Sequence, residues 1–450
     1  FAVQLTDLRN ESQLIILDPV TAAIDSPLIA IEELRQRVMG ALASQLDQRF
    51  GVWTTTGLSP PSYEAYREFV AGQVAFQRLD IAAALPHYYR AAELDPSFPG
   101  PMLMAAFAAA AADMWPLADS LALIVETQRA SLDPAHSYVL DWILNLASGR
   151  PAQAYTAIQR AANIVSGPEM TAFVAVTELW LNRPADAFRR LQDLDPTSDL
   201  VAEMFYYWDL DTDVLHLLGR HRQELADALR AYELHGDIDL SAIGLVRAWA
   251  AVGRADDIDR FIAGAARTGY GRLGMVDEGD VLRTAALELR AHGFAETAEE
   301  FSDREIAWYT RRVAGGESDE NDLYGFARAL YMGGEYADAA PLFARLYESN
   351  RDSIAYLGYS ASTAARLGDR ARALELSDSL TTMERRFLFG HRQYWQARIA
   401  AVLGDREDAI RYLNDAYRAG RLFRINAHTD IDLRELRGYL AYEELMRPRG

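Results

Sequence analysis

The chain has 450 residues, half of them apolar, with 45 basic and 65 acidic side chains and a formal net charge of −20, a balance that opposes nucleic acid and anionic membrane as partners. It contains no cysteine, which excludes disulfides, thiolate metal sites and cysteine nucleophiles. It also contains no lysine, every basic residue being arginine, which excludes Schiff-base chemistry, a Walker phosphate loop and a protein-kinase lysine.

Phe1 to Asp7 and Leu14 to Val20 are β-prone runs around the polar turn Leu8 to Gln13, which predicts a hairpin. Pro27 opens a predicted helix carrying Leu28, Ile31, Leu34, Val38, Leu42 and Leu46 along one face. A hairpin with one helix is too small to fold alone, so it reads as the end of a larger α/β unit. The run Val3-Gln4-Leu5-Thr6-Asp7, a second strand and a helix reaching Leu46 resembles the last part of the TolB-like amino-terminal domain. That resemblance implies a partial α/β segment over residues 1–50. It also implies a bacterial signalling protein in which such a domain precedes helical repeats, as in serine/threonine kinases, adenylate cyclases and winged-helix regulators. An effector joined in the gene before Phe1 is expected; a kinase with a membrane span there would make this array extracytoplasmic, the compartment favoured over the cytoplasm. The turn departs from the family, with Asn10-Glu11-Ser12 where Gly is frequent.

Residues 51–61, with Thr54-Thr55-Thr56 and Pro60-Pro61, form a linker by composition. Predicted helices over Tyr63 to Gln77 and Ile81 to Leu94 follow. Thereafter one phrase recurs: Gly149-Arg-Pro-Ala-Gln-Ala154, Asn182-Arg-Pro-Ala-Asp-Ala187, Val252-Gly-Arg-Ala-Asp-Asp-Ile258, Gly333-Gly-Glu-Tyr-Ala-Asp-Ala339, Leu367-Gly-Asp-Arg-Ala-Arg-Ala373 and Leu403-Gly-Asp-Arg-Glu-Asp-Ala409. In each, a helix ends, a turn intervenes and a second helix starts, with a contact position where the two helices touch. That position falls at 84, 118, 154, 187, 224, 258, 298, 339, 373 and 409, at intervals of 33 to 41 residues. Gly72, Ala84, Tyr88, Ala91 and Pro96 fit the same pattern in the first repeat, and the period resembles that of the tetratricopeptide repeat. The resemblance implies an all-α helical solenoid of about ten helix pairs over residues 62–425, behind the small hairpin-plus-helix remnant. The longest irregular segments are Thr268 to Asp280 and Gly315 to Asp322. Residues 426–450, including His428-Thr-Asp-Ile-Asp-Leu-Arg-Glu-Leu-Arg437, read as a charged cap closing the last repeat.

No motif carries catalytic or cofactor chemistry. Gly269-Tyr-Gly271-Arg-Leu-Gly274 matches a dinucleotide fingerprint by letter, but a helix rather than a strand precedes it. Asp209-Leu-Asp211-Thr-Asp213 begins like a calcium loop, yet Val214 and Arg220 stand where Gly and Glu are required. His428, Asp430 and Asp432 read as a solvated cap rather than a metal site. The longest apolar run, Met102 to Ala112, falls short of the roughly 20 residues of a membrane span, so no membrane insertion is expected. The chain therefore reads as a non-enzyme without cofactor or metal.

What remains is surface. By analogy with the tetratricopeptide family, repeat positions 2, 5, 9 and 12 line a concave face. They hold Tyr206, Asp209, Asp213 and His216 in repeat five, Asn321, Tyr324, Arg328 and Tyr331 in repeat eight, and His391, Tyr394 and Arg398 in repeat ten. Tyrosine with arginine is the composition of binding hot spots, and arginine holds carboxylates bidentately. The expected function is a protein- or peptide-binding scaffold or sensor. The alternative is a structural solenoid that self-associates into a homo-oligomer or filament.

Overall fold

The computed structural model describes residues 3–7, 12–17, 19–23, 25, 27–46, 61–265, 269–271, 274–315 and 319–450. Residues 51–60 of the linker, most of the hairpin turn and parts of both long loops lie outside the described residues. The Gly269 to Gly274 fingerprint is therefore described only in part. Strand β1 (Val3–Asp7) pairs antiparallel with β2 (Ser12–Leu17), Val3 opposite Leu17 and Asp7 opposite Ser12. Among the described residues, the elements after α1 (Pro27–Leu46) are helices joined by turns and loops.

The α1 face expected to be buried is partly turned outward: Leu28, Ile31 and Leu42 are exposed, and Ala30, Gly40 and Ala41 are buried instead. The physical reason is close approach. A Cβ on Gly40 would overlap the Pro61 carbonyl, so the small-residue side of α1 is the one that fits against the following chain.

The first pair, α2 (Tyr63–Gln77) and α3 (Ile81–Leu94), has the bounds expected from sequence. Ser62 and Asp80 start these helices by accepting from backbone N–H groups of the first turn. Gly72 lies directly under the Tyr88 ring, which sets the separation within the pair. Then come α4 (Gly100–Ala111), α5 (Trp115–Glu126), α6 (Pro134–Ala147), α7 (Pro151–Ala162), α8 (Pro168–Trp180), α9 (Pro184–Leu191) and the single turn α10 (Asp199–Ala202). The Asp133-Pro134 step opens α6 with an aspartate cap. The later helices are α11 (Phe205–Leu217), α12 (His221–His235), α13 (Asp239–Ala251), α14 (Ala255–Ala265), α15 (Glu278–Ala291), α16 (Ala295–Ala314), α17 (Glu320–Gly333), α18 (Tyr336–Ser349), α19 (Ile354–Arg366), α20 (Arg370–Thr381), α21 (His391–Val402) and α22 (Arg406–Arg418). Two 3₁₀ turns, Ile425–Thr429 and Leu433–Leu436, precede the last helix, α23 (Leu440–Met446).

The ten contact positions, Ala84, Ala118, Ala154, Ala187, Glu224, Ile258, Ala298, Ala339, Ala373 and Ala409, are all fully buried, so the sequence period is the packing period. The fold is a tetratricopeptide-type helical solenoid. At the α21–α22 turn Gly404 has φ 80°, a left-handed geometry that closes the first helix and frees Asp405 to open the next.

The chain divides into two compact units, residues 1–178 with 189–207, and residues 179–188 with 208–450. The first is built on aromatic packing: Phe107 sits 4.6 Å from Trp142 and 4.7 Å from Phe173, ring centre to ring centre. Inside it, the buried Tyr88 hydroxyl donates to Gln73 at 2.5 Å, and Gln73 donates to buried Glu169 at 2.8 Å. In the second unit the segment after α22 folds back over the helices. The Phe423 N–H donates to the Trp180 carbonyl at 3.0 Å, and the Arg449 N–H donates to that of Asn182 at 3.0 Å. Ile431 joins the core of Tyr331, Tyr359 and Trp395, while Leu433, Leu436 and Tyr442 join that of Tyr394 and Leu413. Among the described residues, no helix is long and apolar enough to cross a membrane.

Candidate functional site

In the second unit, first helices of successive pairs present polar side chains toward the returning C-terminal segment. Asp432 is the centre of this surface and is fully buried. It accepts from the Tyr331 hydroxyl at 2.7 Å, from Arg366 Nη2 at 2.9 Å, from Arg398 Nε at 3.1 Å and from Arg398 Nη2 at 2.9 Å. Asp430 accepts from the Tyr394 hydroxyl at 2.9 Å and lies 3.3 Å from Arg398. The Arg398 guanidinium also stacks on Trp395, 3.9 Å from its ring centre. Burial alone would lower the pKa of Arg398, but Asp430 and Asp432 outweigh it and raise the value well above the usual range. Burial, then Asp432, raises that of Tyr331; burial, then Asp430, raises that of Tyr394. Two arginines and two tyrosines thus hold two aspartates of the C-terminal segment, the pairing expected where charge-assisted hydrogen bonds replace water.

A second polar cluster lies at His428, earlier in the same segment. His216, at the end of α11, directs Nδ1 to Glu224 Oε1 at 2.9 Å and Nε2 to His428 Nε2 at 3.0 Å. Glu288 on α15 places Oε2 at 3.0 Å from His428 Nε2 and 3.4 Å from His216 Nε2. His292 follows α15 and has its Nε2 at 3.5 Å from the same oxygen. Glu224 also accepts from His221 and pairs with buried Arg247 at 3.3 Å, which pairs with Asp213 at 2.6 Å. Burial would raise the pKa of Glu224, but the histidine and arginine contacts prevail and bring it to about 2. For His216, burial lowers the value while Glu224 and Glu288 raise it, to about 9. Burial, then Asp213, pushes Asp209 up to about 7, opposed by Arg247.

The concave-face residues expected from sequence separate into groups. Tyr331, Tyr394 and Arg398 meet on the C-terminal aspartates, and Asp209, Asp213 and His216 gather around Arg247 and Glu224. Tyr324 packs against Tyr356 and Tyr359 with the Arg328 guanidinium 5.2 Å from its ring centre. Asn321 and His391 are exposed. Tyr206, in the first unit, packs between Phe76 and Phe173, and its hydroxyl is buried without a hydrogen-bond partner among the described residues.

Residues 428–432 are not the solvated cap expected from their composition, since Asp432 is fully buried and Asp430 and His428 are partly so. Arg366, Arg247, Glu224, Glu288 and His292 were not anticipated. One signal was available for Glu224, which puts a carboxylate where eight of the ten contact positions hold alanine.

No family model matches the chain, and no curated protein matches it. Several solved structures align with the chain at low similarity. A tetratricopeptide repeat protein from Parabacteroides merdae aligns with TM-score 0.33 and 11% identity over 64% of this chain and 93% of that one. The human IFIT1 dimer with PPP-AAAA aligns with TM-score 0.33 and 12% identity, covering 81% and 85%. The APC/C hetero-tetramer Cut9-Hcn1 gives TM-score 0.29 and 11% identity, covering 84% and 85%.

Proposed function

We propose that the chain is a non-catalytic peptide-binding scaffold whose second unit recognises a short acidic segment in which aspartates alternate with aliphatic residues. The supporting observation is the burial of Asp432 between Arg366, Arg398 and Tyr331, with Ile431 and Leu433 packed into the flanking apolar clusters. The Asp-Ile-Asp-Leu run linking two 3₁₀ turns is held by side chains of the helical array, and a partner peptide of the same chemistry would meet the same groups. The resemblance of residues 1–50 and the repeat period further support a place in a bacterial signalling protein. Reading the full open reading frame tests that placement.

The recognition reading is tested by fluorescence anisotropy with a labelled peptide of the sequence from His428 to Arg437. It is titrated with full-length protein and with an Asp430→Asn/Asp432→Asn variant that loosens the tethered copy. Binding to the variant should be at least about tenfold tighter than to wild type, because the tethered copy no longer competes, and adding Arg398→Gln should abolish it. A folded double variant that ignores the peptide overturns the proposal.

A further inference from the structure

We propose that His216, Glu288, His292 and His428 form a binding site for a divalent transition-metal ion of the zinc class. The four ligand atoms lie within 4.8 Å of one another. Four contacts among them measure 3.0, 3.0, 3.4 and 3.5 Å. A tetrahedral ion with bonds of about 2.0–2.1 Å to imidazole nitrogen and carboxylate oxygen separates its ligands by about 3.3 Å, and these four of the six spacings lie within about 0.3 Å of that.

The outer partners support the same assignment. His428 Nδ1 faces the Ile425 carbonyl, which can only accept, so that nitrogen carries the proton. His216 Nδ1 faces the Glu224 carboxylate, itself paired with Arg247 and acting as an acceptor. Each ring thereby turns its Nε2 toward the other and toward Glu288 Oε2. Carboxylate or carbonyl support on the far nitrogen is the usual arrangement behind metal-bound histidine. His292 Nε2 is buried with no hydrogen bond among the described residues. A proton bridges one pair; a metal ion serves all four.

Imidazole with one carboxylate selects zinc, cobalt, nickel or copper over calcium and magnesium. Four protein ligands fill a tetrahedral shell, so the ion is a cross-link and not a hydrolytic centre. It ties the segment carrying His428 to α11 and α15. The site stands whether or not the neighbouring arginine surface takes a peptide.

The test uses untagged full-length protein treated with chelator, titrated with zinc chloride by calorimetry and with cobalt(II) by visible spectroscopy. One equivalent of zinc and the intense d–d absorption of tetrahedral cobalt are expected. His428→Ala should weaken zinc binding more than about 100-fold, exceeding the usual effect of losing only an outer partner, with helical circular dichroism retained. His292→Ala, lying beyond the end of α15, repeats the test should the first variant lose its fold. No stoichiometric zinc binding, an octahedral cobalt spectrum, or wild-type affinity in either folded variant overturns the proposal.

Discussion

Replacing Asp432 with alanine isolates the contribution of the C-terminal segment to the second unit. The carboxylate is fully buried and accepts from Tyr331, Arg366 and Arg398. Its loss leaves the buried Arg398 guanidinium with Asp430, at 3.3 Å, as its remaining carboxylate, whereas Arg366 keeps Glu435 at 2.8 Å and the Ile431 carbonyl at 3.1 Å. Breaking a buried pair from one side costs about 3–5 kcal/mol, and the surviving partners put Asp432→Ala near the lower end, about 3 kcal/mol. Local opening of the segment should then rise by about 100-fold, at about 1.4 kcal/mol per decade. Hydrogen exchange of residues 425–437 reads this directly, with α13 as an internal reference that should not change. Asp432→Asn, which keeps one of the two acceptor oxygens but loses the charge, should fall between wild type and alanine. If Asp432→Ala raises exchange in this segment less than about threefold, the carboxylate does not hold it and the assignment of burial energy is wrong.

Four further substitutions probe the packing and charge of the array. Glu305, almost fully buried near Arg283 and Arg328, has its pKa raised to about 7, burial outweighing both arginines. Its folded value exceeds the unfolded one, so the associated stability is complete below about pH 4.5 and is lost as pH rises through 7, by about 3 kcal/mol in all. Glu305→Gln should flatten that decline in denaturation midpoints between pH 5 and 8, and parallel curves would contradict it. Gly358→Ala would drive a Cβ into the Trp395 ring and should cost about 1–3 kcal/mol. Gly244→Ala on α13 meets nothing within 4 Å and should stabilise by about 0.5–1 kcal/mol, so equal effects in chemical denaturation would refute the packing argument. Tyr88→Phe strands the buried acceptor of Gln73 and should cost about 1–2 kcal/mol; an unchanged midpoint would show that the hydroxyl contributes nothing.

The helix pairs were legible because each turn repeats a local instruction: Leu403-Gly404-Asp405 contains the end of one helix and the start of the next. The bounds of α2 and α3 could be read for the same reason, from caps and apolar spacing within a few residues. Burial of Asp432 was not legible. Its partners Arg366 and Arg398 lie 66 and 34 residues away, and a charged run near a terminus has the same composition whether solvated or enclosed. The α1 face failed for another reason, since leucine spacing reports amphipathicity but not which side offers the closer backbone approach. Glu224 was the readable exception: a carboxylate at a helix contact requires a cation or proton nearby, and Arg247, His216 and His221 supply them.

The same surface also fixes how a partner would compete. The C-terminal segment is tethered a few residues after α22, so it faces the arginines at an effective concentration on the order of millimolar. A peptide in solution must displace that copy, and its apparent affinity falls by the fraction of chains in which the segment is open. If holding the segment is worth about 4 kcal/mol, that fraction is about one in a thousand, and an intrinsically nanomolar peptide binds at about micromolar concentration. Asp432→Ala removes about 3 kcal/mol of the restraint without touching Arg366 or Arg398, so it should recover about two of those three decades. A metal ion on His428 would act in the opposite sense, closing the surface further. Peptide affinity measured with and without zinc, in wild type and in Asp432→Ala, therefore separates a surface that is filled for stability from one that is held shut until a competing segment arrives.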